Sequence, residues 1–89
     1  MGKHITFTGK NAWDATTNSM EFQVKIDGAR TRCLISREAL EDHFGADREK
    51  TVDQAFNDNR SEIERVATNI INKGLVNASG EYLIRSSNI

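Results

Sequence analysis

The sequence predicts an α+β domain: a small antiparallel sheet with two helices packed on one face, in the order β-β-β-α-α-β. Three observations predict it. Met20, Phe22, Val24 and Ile26 alternate with Glu21, Gln23 and Lys25, the period of a half-buried strand. Asp27-Gly28 follows, a dipeptide suited to the positive backbone angles of a two-residue hairpin turn. Eight apolar positions then mark one helix face, Val52, Ala55, Phe56, Ile63, Val66, Ala67, Ile70 and Ile71, at gaps no strand can use. The 89 residues suit a single domain over positions 1–89.

Each element follows in chain order. Ile5-Thr6-Phe7 alternates and predicts a short first strand, and Gly9 to Ser19 reads as a loop with turns, Trp13-Asp14 within it. With Asp27-Gly28 as the loop, Ile26 faces Ala29, Val24 faces Thr31, Phe22 faces Cys33 and Met20 faces Ile35. All eight then share one face, and a slip of one residue would undo the agreement. Ser36 is placed to cap a helix, with Glu38 in the first turn where the helix dipole favours an anion. Ala39, Leu40 and Phe44 form its apolar stripe and Gly45 ends it. The second helix is expected as one continuous rod from Val52 to Ile71, about 30 Å long at roughly 1.5 Å per residue. Asp47 or Thr51 can cap it, Thr51 and Gln54 match a capping box, and Gly74 closes it with Leu75 placed against Ile70 or Ile71. Asn77 to Gly80 is a turn, Glu81 to Arg85 a last strand, and Ser86 to Ile89 a loose tail.

Composition narrows the function classes. Twelve basic and thirteen acidic residues leave a net charge of −1, without the basic excess of a generic polyanion binder. No apolar run approaches the roughly 20 residues of a membrane span. Cys33 is the one cysteine, which leaves no internal disulfide and fits a reducing cytoplasm.

Trp13-Asp14, Phe22, Gly28, Cys33-Leu34-Ile35-Ser36, Ala39-Leu40, Phe44-Gly45, Ala55-Phe56, Asn59-Arg60, Ile63 and Ala67 resemble, in their order and spacing, a family of small bacterial proteins, domain of unknown function 1488. The resemblance runs over Ile5 to Gly74. It implies a single α+β domain in a bacterial cytoplasm and brings no catalytic, cofactor or ligand residue with it.

The residues themselves offer little chemistry. His43 stands in the last turn of the first helix, where a ring donor serves the final carbonyls, and His4 lies at the start of the chain. Cys33 falls on the buried hairpin face and acts there as a small apolar residue. There is no phosphate loop, no HExxH and no nucleophile elbow. Asp53, Asp58, Glu62 and Glu64 lie off the apolar stripe among arginines and read as a solvated face. No catalytic residue, metal ligand or cofactor is assigned, and an enzyme is the least favoured class.

The candidate partner-binding residues are Lys25, Arg30, Arg32 and Arg37, a local basic patch on the outer hairpin face and its extension. Asn59 is the one polar residue in the long stripe; it is expected to tie the helix through backbone hydrogen bonds to a loop such as Gly9–Trp13, with a ligand contact at the helix–loop seam as the sharper reading. Trp13 is a core anchor or a partner-binding aromatic. The favoured function is a non-catalytic interaction or regulatory module that binds a protein partner or itself through the second sheet face or a sheet edge. The alternative is weak nucleic-acid binding through the basic hairpin face.

Overall fold

A computed structural model describes residues 3–46 and 50–89. Strand β1 (Ile5–Asp14), β2 (Ser19–Ile26) and β3 (Ala29–Ser36) come first. Helices α1 (Arg37–Phe44), α2 (Val52–Asp58) and α3 (Arg60–Asn72) follow, and β4 (Tyr82–Ile84) leads into a 3-10 turn, Ser86–Asn88. The fold is α+β, a four-stranded sheet in the order β1-β2-β3-β4 with helices over one face.

The hairpin has the expected register, with Ile26 opposite Ala29, Val24 opposite Thr31, Phe22 opposite Cys33 and Met20 opposite Ile35. Asp27 and Gly28 take φ values of 52° and 88°, as a turn matched to the right-handed twist of the strands requires. The side chains facing the helices form the core floor: Met20, Phe22, Val24, Cys33 and Ile35 are all buried. The Phe22 and Phe56 rings meet at 5.3 Å between centroids.

Four expectations need correction. The first strand is not short, because β1 runs on to Asp14 through a bulge between Phe7 and Asn11. Phe7 pairs with Val24 and Asn11 with Phe22, so β1 spends more residues than its partner over the same length. A bulge of this kind breaks the alternation by which a strand is recognised. Gly9, at φ 85° inside it, takes a left-handed conformation costly for other residues.

The sheet is mixed, not wholly antiparallel, because β4 runs parallel to β3. The three helices between them form the long crossover that a parallel neighbour needs. The rod from Val52 to Ile71 is two helices rather than one, parted at Asn59, whose φ and ψ are −118° and 21°. The Asn59 side-chain amide donates to the Ala55 carbonyl at 2.9 Å, the acceptor its own backbone N–H would take in a continuous helix. That N–H turns instead to the Phe56 carbonyl at 3.3 Å. A short amide competing for backbone partners is the usual reason such residues interrupt helices. The apolar face survives the break, since Ala55, Phe56, Ile63, Val66, Ala67, Ile70 and Ile71 are all buried.

The residues after β4 are not a loose tail. The Ser86 hydroxyl donates to Asp42 at 2.8 Å and the His43 ring meets the Ser86 carbonyl at 3.2 Å, which seats the 3-10 turn on α1.

Helix ends follow the capping chemistry. The Ser36 hydroxyl accepts from the Ala39 N–H. Thr51 and Gln54 satisfy each other's backbone N–H in a capping box, whereas Asp47 lies outside the described residues. At the end of α3, the Leu75 N–H reaches the Ile70 carbonyl and the Gly74 N–H the Ile71 carbonyl. With Gly74 at φ 71°, this is a Schellman motif.

Candidate interaction surfaces

The sheet's second face is built by the alternation that fills the core. Thr8, Asp14, Glu21, Gln23, Lys25, Arg30 and Arg32 point away from the helices, each opposite or beside a core-facing neighbour. Arg32 sits among carboxylates. Its Nη2 donates to Asp14 Oδ2 at 3.1 Å and its Nη1 lies 2.7 Å from Glu81 Oε2. Its Nε stands 3.2 Å from Glu21 Oε1, a charge contact only, since that buried N–H has no aligned acceptor. Burial raises the Asp14 carboxyl. Hydrogen bonds from the Thr17 hydroxyl and the Thr16 and Thr17 N–H groups, with the Arg32 charge, outweigh it and hold Asp14 below the ordinary carboxylate range.

The four candidate cations therefore separate. Lys25 and Arg30 face each other across the strands at the hairpin tip, both exposed, and among the described residues neither is ion-paired. Arg32 belongs to the carboxylate cluster. Arg37 is carried round by α1 to the Trp13 ring, 5.7 Å from its centroid, and pairs with Glu41 at 3.5 Å. Trp13 lies on β1 rather than in a loop, half-buried against the core.

Asn59 reaches α1 rather than the Gly9–Trp13 segment: besides Ala55, its amide donates to the Phe44 carbonyl at 3.3 Å. The seam with β1 is made by the next residue. Arg60 lies over the Phe56 ring at 4.8 Å and donates to Asn11 at 2.6 Å and Asn57 at 2.8 Å.

Titratable chemistry is sparse. The Cys33 thiol is wholly buried, and desolvation pushes its pKa up to about 12, the opposite of what a nucleophile needs. His43 is engaged with Ser86, and the backbone of His4 pairs with Asp27. Among the described residues, no three His, Cys, Asp or Glu side chains are grouped to hold a metal, and no helix is long and apolar enough to cross a membrane.

One surface was missed from the sequence. The large apolar side chains exposed among the described residues are Leu75, Val76 and Ile89, at 53%, 47% and 39%, and all three lie together. A cleft of about 340 Å³ runs between α3 and the 3-10 turn, with Ile70 and Leu75 on one side and Ile89 on the other. A second, of about 420 Å³, continues past Leu75 and Val76 to Leu83. The two share Leu75, Ser87 and Asn88. The cations on their walls are Arg65, Lys73 and Arg85, with no Asp or Glu among the lining residues. Arg65 is bound by Glu62, while Lys73 and Arg85 form no ion pair among the described residues. The available signal was an apolar pair, Leu75-Val76, stranded between Gly74 and Asn77 outside any periodic stripe.

Comparison with known proteins places this architecture. No curated protein matches the chain. It is similar to a crystal structure of a protein of unknown function from the DUF1488 family of Shewanella loihica PV-4, with 25% identity, 94% of each chain covered and a TM-score of 0.81. The family model described as Protein of unknown function (DUF1488) matches residues 5–84, from the first residue of β1 to the last of β4. A match over all four strands and the three α-helices described means that the chain belongs to the DUF1488 family.

Proposed function

We infer that the protein is a non-catalytic interaction module, and that it engages a protein partner through the surface around Leu75, Val76 and Ile89. One observation carries this reading. Among the described residues, the exposed large apolar side chains gather on two joined clefts instead of scattering, and contiguous exposed apolar surface marks interaction sites. Cys33 and His43, the side chains best suited to nucleophilic or acid–base work, are taken up by the core and by the 3-10 turn. Their engagement favours binding over catalysis. An unpaired cysteine in the core supports a reducing, cytoplasmic setting.

The test is capture from bacterial lysate by immobilised wild-type protein and by a Leu75→Ser, Val76→Ser variant. Both positions are exposed, so the variant should keep its fold by circular dichroism. Loss of a specific captured partner supports the reading, and equal capture by both proteins refutes it. A second reading, weak nucleic-acid binding, is favoured by Lys25 and Arg30, which face each other and have no ion pair among the described residues. It predicts affinity that falls steeply with salt and drops in Lys25→Ala, Arg30→Ala. Binding indifferent to both would remove it.

A further inference from the structure

The geometry points to the class of partner: an acidic, amphipathic peptide segment of another protein, laid along α3 with its apolar side chains against Leu75 and Ile89 and its carboxylates toward Lys73 and Arg85. This rests on the interaction reading above. Along the wall of the groove, Arg65, Asn69 and Lys73 recur at steps of one helical turn, a run of roughly 12 Å at about 1.5 Å per residue. That length suits about two turns of a docked helix, read as anchors at i, i+3 or i+4, and i+7.

Charge decides between occupants. The lining side chains offer cations and amides but no Asp or Glu, and Lys73 and Arg85 form no ion pair among the described residues. A partner bearing acids completes both, adding orientation and association rate at the rim. A second copy of this chain does not. A two-fold interface sets the same patch against itself, so Lys73 and Arg85 would face a patch whose charged side chains are all cations. The exposed large apolar residues of the described chain lie in this groove, so a second copy has no comparable apolar segment elsewhere to insert. Strand addition is also disfavoured at the near end of β4, where Val76 already bridges Tyr82.

Phage-displayed random peptides selected on the wild-type protein, followed by anisotropy titration of the synthesised winners, provide the test. The expected winners combine leucine or aromatic residues with aspartate or glutamate. Their affinity falls about tenfold in Lys73→Glu, Arg85→Glu, the scale of losing rim ion pairs. It is restored when the peptide acids are exchanged for lysine, a rescue that general damage to the fold would not permit. Winners lacking acids, or unaffected by the double charge reversal, overturn the inference. So does concentration-dependent self-association abolished by Leu75→Ser. Peptides that bind at Lys25 and Arg30 overturn this site and leave an interaction module standing. Absence of any binder, together with absence of any captured partner, removes both.

Discussion

Replacing Asn59 tests the joint on which the helical layer turns. Its amide is the donor for two carbonyls, Ala55 at 2.9 Å and Phe44 at 3.3 Å, one from its own helix and one from the end of α1. In Asn59→Ala both bonds go, at about 1 kcal/mol net each, and an acceptor left dry costs about 1–3 kcal/mol. A straightened helix can return a partner to the Ala55 carbonyl, and alanine's helix preference gives back roughly 0.5 kcal/mol. Nothing in that change serves the Phe44 carbonyl. The balance is a loss of about 2 kcal/mol, or a fall in Tm of roughly 8–15 °C for a domain of this size. Asn59→Asp keeps the shape but turns a carboxylate toward two carbonyl oxygens, so it should lose at least as much. The assay is urea denaturation followed by Trp13 fluorescence and helical circular dichroism. If Asn59→Ala stays within about 0.5 kcal/mol of wild type, the scale of an ordinary surface substitution, and Asn59→Asp is equally benign, Asn59 is not a tether.

Two other perturbations read different layers. The folded Cys33 thiol has its pKa pushed up to about 12, against about 8.5 for a free thiol. The unfolded chain then gives up a proton that the folded chain keeps, so stability is whole below about pH 8.5 and falls by about 1.4 kcal/mol per unit from there toward pH 12. Cys33→Ala should cost about 1–2 kcal/mol at pH 7 from lost packing, and its stability should draw level with wild type near pH 10; a gap that stays constant with pH refutes the burial. On the outer face, Arg32→Gln leaves Asp14, Glu21 and Glu81 without their shared cation, so its Tm should fall at pH 7 and the gap should narrow as pH drops through the lowered value of Asp14. Asp14, whose pKa is lowered in the fold, adds stability above the ordinary carboxylate range that is lost as pH falls through its lowered value. Carboxylate titration by NMR should show Asp14 moving upward in the variant, and an unmoved Asp14 would remove Arg32 from its causes.

What the sequence made legible was local. Asp27-Gly28 and the alternation around it carry the hairpin register because turn geometry and side-chain facing both lie within a few residues. The helix stripe showed which face of α2 and α3 is buried but not that there are two helices. Apolar spacing records where side chains point, whereas the break comes from one amide bonding backbone. β1 was hidden because its bulge shifts the alternation between Phe7 and Asn11, and Gly9-Lys10-Asn11 read as a turn. The direction of β4 is set by the path of three helices, which no short window contains. The same holds for the surfaces. Lys25 and Arg30 meet as a hairpin must make them, while the fate of Arg32 depended on Glu81, a residue 49 positions away. Leu75 and Val76 carry no mark of exposure in their identity; only the placement of α3, β4 and the final turn leaves them open.

The crossover to β4 has a consequence for the birth of the chain. On the ribosome, β3 is made with β2 already beside it, but its other flank waits through all three helices before Tyr82 to Ile84 arrive. During that interval the nascent polypeptide carries an unpaired ribbon margin, the kind of template on which neighbouring chains zip together. A chain stalled before residue 82 would therefore be expected to aggregate, and late synthesis would close the sheet as a seal.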